Sequence, residues 1–273
     1  MRKELQVDGR RVSYLERSSP DVRRTLVLLH AFPLQAEMWA PQFAALPADW
    51  RLIAPDFRGF GQSDGDRGDL SSAGLSLDDY ARDVLSLLDR LQVRAPVVAG
   101  LSLGGYVIFA MLRLLPPDAF QGLVLADTRP QADTDEGRAG RKKMIDLVGR
   151  EGSAAVAGEM LSKLTADQTR ERRPDVAELV RKMINNASPP AIAAALYRMM
   201  ARPDSTGDLA RIACPTLVIV GERDALTPPD LSRDMQKRIT GAELEIVPSA
   251  GHLANLEQPD AFNAAFAAFL KTV

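Results

Sequence analysis

The sequence predicts an α/β fold: a mostly parallel, doubly wound sheet covered by helices on both sides, with a helical segment inserted late in the alternation. Three observations predict it. Short apolar runs rich in branched residues recur along the chain, helical stripes lie between most of them, and from about residue 129 to 207 the strand pattern gives way to helical ones. Runs that do not alternate apolar with polar residues are buried on both faces, as strands inside a parallel sheet are.

The elements follow in order. Residues 4–7 and 11–15 flank Asp8-Gly9, a turn pair that predicts a hairpin at an antiparallel edge. Residues 25–29, 51–54, 95–99, 122–126 and 216–220 are the buried strands. Leu77, Tyr80, Val84, Leu87, Leu88 and Leu91 trace one helical face, and Phe262, Phe266, Phe269 and Leu270 trace another near the end. In the insertion, Val176, Leu179, Val180, Met183 and Ile184 form one stripe, and Ile192, Leu196, Met199 and Met200 form a second. Pro174, Pro189-Pro190 and Pro203 punctuate these helices. The expected division is a core of residues 1–129 and 208–273 and a helical unit of residues 130–207 over one end of the sheet.

Bulk properties exclude several classes. A chain of 273 residues fits one domain with an insertion. With a net charge of −2, nothing favours nucleic acid or an anionic membrane as partner. The densest basic clusters, Arg141 to Lys143 and Arg170 to Arg173, sit among acids and are expected to be solvated helix faces. The opening residues lack the apolar stretch of a secretory signal, and no apolar run approaches the ~20 residues of a membrane span. One cysteine, Cys214, permits no internal disulfide and fits a reducing, cytoplasmic setting. One cysteine and two histidines make a poor zinc set, and no cofactor is expected.

The strongest chemical signal is Gly100-Leu-Ser102-Leu-Gly104, a Gly-x-Ser-x-Gly element between a buried strand and an apolar helix. A tight strand-to-helix turn holds such a serine at its apex with the hydroxyl exposed, and the helix start favours negative charge. Ser102 is therefore the candidate nucleophile. A serine needs a base, and only His30 and His252 are available. His252 follows the strand-like residues 244–247 and precedes the last helix, in the chain order nucleophile, acid, base. His30, upstream of the serine, is read as a brace for its loop. The acid should follow a strand between the two. Asp224, after residues 216–220, is the choice; Glu222 and Asp127 are rivals. The amides of Leu103 and of Phe32, in the loop after the third strand, are assigned as oxyanion donors.

Together these residues resemble the α/β-hydrolase superfamily over nearly the whole chain outside the insertion. His30-Ala-Phe-Pro-Leu is similar to the family's His-Gly-Phe-Pro element, with Ala31 where glycine is usual; a positive φ there would strain it. Asp56-Phe-Arg-Gly-Phe-Gly-Gln-Ser-Asp64 matches a family turn, and Gly251-His252 with Leu256-Glu-Gln-Pro259 matches the histidine loop. The resemblance implies that residues 130–207 are a helical cap. It is nearest to small carboxylesterases, enol-lactonases and cofactor-free perhydrolases. Ser102 argues against the related dehalogenases and epoxide hydrolases, which attack with aspartate. The implied function is hydrolysis of a small carboxylic ester or lactone through an acyl-enzyme. C–C hydrolysis or perhydrolysis on the same triad, or a non-catalytic binding role, are the alternatives. Met144, Met160, Met183, Met199 and Met200 are candidates for an apolar pocket lining.

Overall fold

Eight strands form one sheet in the computed structural model, which describes residues 1–19, 22, 24–66 and 74–273. They are β1 (Arg2–Val7), β2 (Arg10–Arg17), β3 (Arg24–Leu29), β4 (Trp50–Pro55), β5 (Val97–Leu101), β6 (Gly122–Ala126), β7 (Thr216–Gly221) and β8 (Glu243–Val247). Their order is β1-β2-β4-β3-β5-β6-β7-β8. β1 and β2 pair antiparallel through a turn in which Asp8 and Gly9 both have positive φ, and β2 joins β4 antiparallel; every other pairing is parallel.

Side-chain placement follows the apolar runs. β5, β6 and β7 are buried at every position, whereas the edge strand β8 is half exposed. β5 begins two residues later than the apolar run suggests. Ala95 has φ 41° and Pro96 has no N–H to give to a ladder, so the strand starts at Val97.

Helices α1 (Ala40–Ala45), α2 (Leu77–Arg90) and α3 (Leu103–Leu114) belong to the first half. α2 starts at a reciprocal cap between Ser76 and Asp79 and buries Leu77, Tyr80, Val84, Leu87 and Leu88. Five α-helices and a 3-10 turn (Thr206–Arg211) separate β6 from β7: α4 (Asp135–Glu151), α5 (Ser153–Leu164), α6 (Asp167–Arg172), α7 (Pro174–Asn186) and α8 (Pro189–Ala201). Leu179 departs from its expected stripe, being 38% exposed on α7 while Val176, Val180, Met183 and Ile184 are buried. Last come α9 (Pro229–Arg238), α10 (Ala254–Glu257) and α11 (Pro259–Leu270), the latter burying Phe262, Phe266, Phe269 and Leu270.

Arg198 of α8 ties the inserted helices to the core. Its side chain is fully buried over the Tyr80 ring, with its guanidinium on Asp66 (2.6 and 2.9 Å) and Asp79 (3.0 and 3.2 Å). Two carboxylates against one cation, on a ring face, compensate the burial of the charge.

Strand order reverses between β3 and β5, since the chain steps from β3 to β4 on one side and returns to β5 on the other. Such a switch point leaves a crevice beyond the carboxyl ends of the strands, where ligands of open α/β sheets bind. The loop containing Phe32 leaves β3 there, and Ser102 leaves β5 beside it.

Candidate active site

Ser102 sits at the turn from β5 into α3 with φ 54° and ψ −108°, a conformation that L residues adopt only when their surroundings impose it. Its amide donates to Ala126 O (2.9 Å), and its carbonyl accepts from the Thr128 hydroxyl (2.9 Å) and the Gly105 amide (3.0 Å). The flanking glycines are required by contact rather than by freedom of rotation. A Cβ on Gly104 would lie 2.2 Å from Leu29 O, and one on Gly100 would lie 2.4 Å from the Gly104 carbonyl. Strands β3 and β5 and helix α3 could not approach this closely around any other residue.

His252 and Asp224 meet from the loops that follow β8 and β7. His252 Nδ1 lies 2.8 Å from Asp224 Oδ2, and both side chains are almost wholly buried. Asp224 also accepts from the amides of Leu226 (2.8 Å) and Thr227 (3.0 Å) and from the Thr227 hydroxyl (2.5 Å). Burial pushes this carboxyl up, but His252 and the Thr227 donors outweigh it and bring it down to about 2. Sequence reasoning missed Thr227; its signal is a hydroxyl three residues after an aspartate, the spacing of a local side-chain-to-backbone turn.

The rival acids have other hydrogen-bond partners. Glu222 is exposed and accepts from the Ser249 amide (2.9 Å). Asp127, at the end of β6, is fully buried; its Oδ1 accepts from the Gly221 amide (2.8 Å) and its Oδ2 has no partner among the described residues. Because β6 and β7 are neighbours, one oxygen of each carboxylate and a nitrogen of His252 fall within 4.8 Å of one another. Burial first, and then the charge of Asp224, raise the Asp127 carboxyl well above the usual range. Asp127 thus gives up its proton less readily than Asp224. The spacing of the three groups is one a cation could bridge; the Asp224–His252 contact holds an imidazole tautomer, and Asp127 Oδ1 is held by the Gly221 amide.

His30 is buried away from this cluster. Its Nε2 accepts the Phe57 amide (3.0 Å), so Nδ1 carries the hydrogen and donates to Ala31 O (2.9 Å). Asp56 supports the same loop by accepting from the amides of Ala36 (2.8 Å) and Gln62 (3.2 Å). The strain considered for Ala31 does not arise, because Ala31 is not among the described residues with positive φ.

Phe32, Ser102 and His252 line one cavity of about 230 Å³, a compact space for a ligand. Leu103 opens α3, where first-turn amides have no acceptor within the helix; its side chain is buried and Asp224 stands behind His252, so neither lines the cavity. Of the methionines singled out, Met144, Met160 and Met199 line it, with Tyr106, Leu164, Leu196 and Leu226. Met183 packs instead in the core, and Met200 does not reach the cavity. Arg141 departs from its reading as part of a solvated face. Lys142 and Lys143 are exposed, but Arg141 turns inward onto buried Asp133 and lines the cavity. At Gly140, Met144 and Lys163 the cavity gives onto a broader groove between α4 and α5. Among the described residues, no helix is long and apolar enough to cross a membrane.

Comparison with known proteins agrees with this architecture. Over 94% of this chain and 92% of its own length, 3-oxoadipate enol-lactonase 1 of Acinetobacter baylyi is 27% identical. A thermophilic esterase from Thermogutta terrifontis, solved with malate bound, superposes with a TM-score of 0.91 at 34% identity, covering 100% of this chain and 98% of that one. The enol-lactonase from Burkholderia xenovorans LB400 gives a TM-score of 0.88 at 26% identity, over 98% and 100%. The model of the alpha/beta hydrolase family matches residues 26–265, and the chain belongs to that family.

Proposed function

We infer that this protein is a serine hydrolase that cleaves a small carboxylic ester or lactone through an acyl-enzyme. The observation that carries the reading is a serine in a strained turn that shares one small, mostly apolar cavity with a histidine held by a buried aspartate. Ser102 attacks the carbonyl as His252 takes its proton. Asp224 keeps the imidazole in the tautomer whose Nε2 is free to act and stabilises the imidazolium that forms. The amides of Leu103 and Phe32 receive the oxyanion, aided by the α3 dipole. His252 then protonates the leaving alcohol, and a water activated by the same imidazole releases the acid. Helices α4 to α8 serve as the cap, since α4, α5 and α8 supply Met144, Met160 and Met199 to the cavity. The named activities of the esterase and enol-lactonase relatives support an ester or lactone carbonyl as the reacting group.

The test is a panel of p-nitrophenyl esters from acetate to palmitate, with several lactones, on wild type and Ser102→Ala. Turnover confined to short acyl chains and lowered on the order of 10⁴-fold or more in the variant is expected. Turnover of no ester or lactone, or full activity without the Ser102 hydroxyl, would overturn the assignment.

A further inference from the structure

The overall charge balance hides a local excess of cation at the cavity. Among the described residues Asp133 is the one carboxylate that lines it, and it is buried among three guanidinium groups. Arg141 Nε approaches it to 2.5 Å, Arg202 Nη1 to 2.8 Å and Arg129 Nη2 to 3.5 Å. None of the three arginines has another ion-pair partner among the described residues; Asp204, whose charge also feels Arg202, is solvent-exposed. Lys163, on α5 at the cavity mouth, forms no ion pair among the described residues, although Glu159 and Asp146 line the groove beyond it with Lys143 and Arg150. Arg202 Nη1 and Nη2 also donate to Met199 O (2.8 Å) and Gln131 O (3.0 Å), but Arg129 Nε and Arg202 Nε are buried with no partner among the described residues.

Arg141 brings this excess to the cavity wall. Its Nε and Nη2 are on Asp133, while Nη1 faces the sulfur of Met199 at 3.2 Å. A thioether is a weak acceptor, and a guanidinium cannot shed its charge to relieve the mismatch. The Arg141 side chain is only 19% exposed, so water replaces the missing oxygen incompletely. Apart from these groups and the Ser102–His252 pair, the lining is apolar except for Thr227 and the Tyr106 hydroxyl.

We propose that the substrate carries a carboxylate, received inside the Ser102 cavity by Arg141 and drawn in at its mouth by Lys163. This deepens the hydrolase reading and rests on it. The substrate is then a half-ester or acid-bearing lactone: an apolar body lies along Met144, Met160 and Met199, the reacting carbonyl at Ser102 and the free carboxylate at Arg141. A planar carboxylate matches the guanidinium edge that Met199 leaves without an oxygen partner.

The experiment compares monoethyl glutarate with ethyl pentanoate, similar acyl esters with and without the terminal carboxylate, by ethanol release. In wild type the carboxylate ester should have the higher kcat/KM, on the order of ten- to a hundredfold, as a charge-assisted hydrogen bond allows. Arg141→Gln should bring the ratio of the two close to one, and Lys163→Gln should lower it partly. Lys163 is exposed, so its variant keeps the test open if Arg141→Gln does not fold. In wild type glutarate should also inhibit competitively where glutaramide does not. A wild-type ratio at or below one, or a ratio unmoved in both variants, overturns the carboxylate assignment while hydrolysis of ethyl pentanoate leaves the hydrolase reading standing. Turnover of neither ester, with no ester of the p-nitrophenyl panel cleaved, removes both.

Discussion

His30 makes the acid stability of this protein depend on one internal hydrogen bond. Its ring is fully buried, packed 4.3 Å from Phe57 and 5.5 Å from Phe60 by ring centroid, and its Nε2 is committed to the Phe57 amide. Protonation would place the ring's second hydrogen on that nitrogen, break the bond and bury a cation. Burial, partly opposed by the Ala31 carbonyl, lowers the ring from 6.5 to about 4. The sign follows from linkage: the unfolded chain takes up this proton at higher pH than the folded one. The contribution is therefore complete above about 6.5 and is lost as pH falls through about 4. Each tenfold difference in proton affinity is worth about 1.4 kcal/mol, so the loss from pH 7 to pH 4 is about 3 kcal/mol. That is a large part of the ~5–15 kcal/mol by which a typical domain is stable. His30→Gln cannot titrate, and its removal of ring packing lowers stability at every pH. Urea denaturation followed by circular dichroism, on both proteins across that range, isolates the term. The stability advantage of wild type over His30→Gln should shrink by about 3 kcal/mol on acidification. An advantage that stays constant would refute a buried neutral imidazole whose lone pair is held by Phe57.

Three further outcomes are expected. Asp127→Asn should gain stability relative to wild type as pH rises from 4 to 8: the folded state keeps the Asp127 proton after the unfolded chain has released it, and asparagine carries no such penalty. Denaturation across that range checks this, and a pH-independent difference would contradict it. Gly104→Ala should fold poorly or lose activity, because its methyl group would meet the Leu29 carbonyl at 2.2 Å; native-like thermal stability with full turnover would show that β3 and α3 have room to part. Glu257→Ala should lower stability by roughly 2–5 kcal/mol, because the buried carboxylate accepts from Leu253 N (3.1 Å), Ala166 N (2.8 Å) and Thr169 Oγ1 (2.6 Å). The same change frees the loop that carries His252, so kcat should fall with Tm, and a fall in Tm alone would place Glu257 in the fold only.

Much of the sheet was legible because a strand buried on both faces must be apolar at every position, and 122–126 and 216–220 satisfy that condition nearly residue for residue. The turn at Ser102 was legible for a related reason: two backbones in contact admit only glycine at positions 100 and 104. Lateral adjacency was not. Asp127 and Asp224 both follow buried strands, and one-dimensional spacing cannot say that β6 and β7 lie side by side with one carboxylate on the imidazole and an oxygen of the other within 4.8 Å of the pair. Arg141 was misread for a similar cause. It shares a helix with Lys142 and Lys143, and only the fold places Asp133 and Arg202 where its side chain turns inward. Among the methionines, helical periodicity marked an apolar face without showing whether protein or cavity lies opposite; Met183 met protein and Met199 met the cavity.

The most direct test of the hydrolase account is covalent trapping. Wild type is treated with a small alkyl fluorophosphonate, activity on p-nitrophenyl acetate is followed, and the peptides are mapped by mass spectrometry. The account predicts one adduct per chain, on Ser102, formed in step with loss of turnover and absent in Ser102→Ala. Undiminished turnover after labelling, or a modified residue other than Ser102 that tracks the loss, would contradict it.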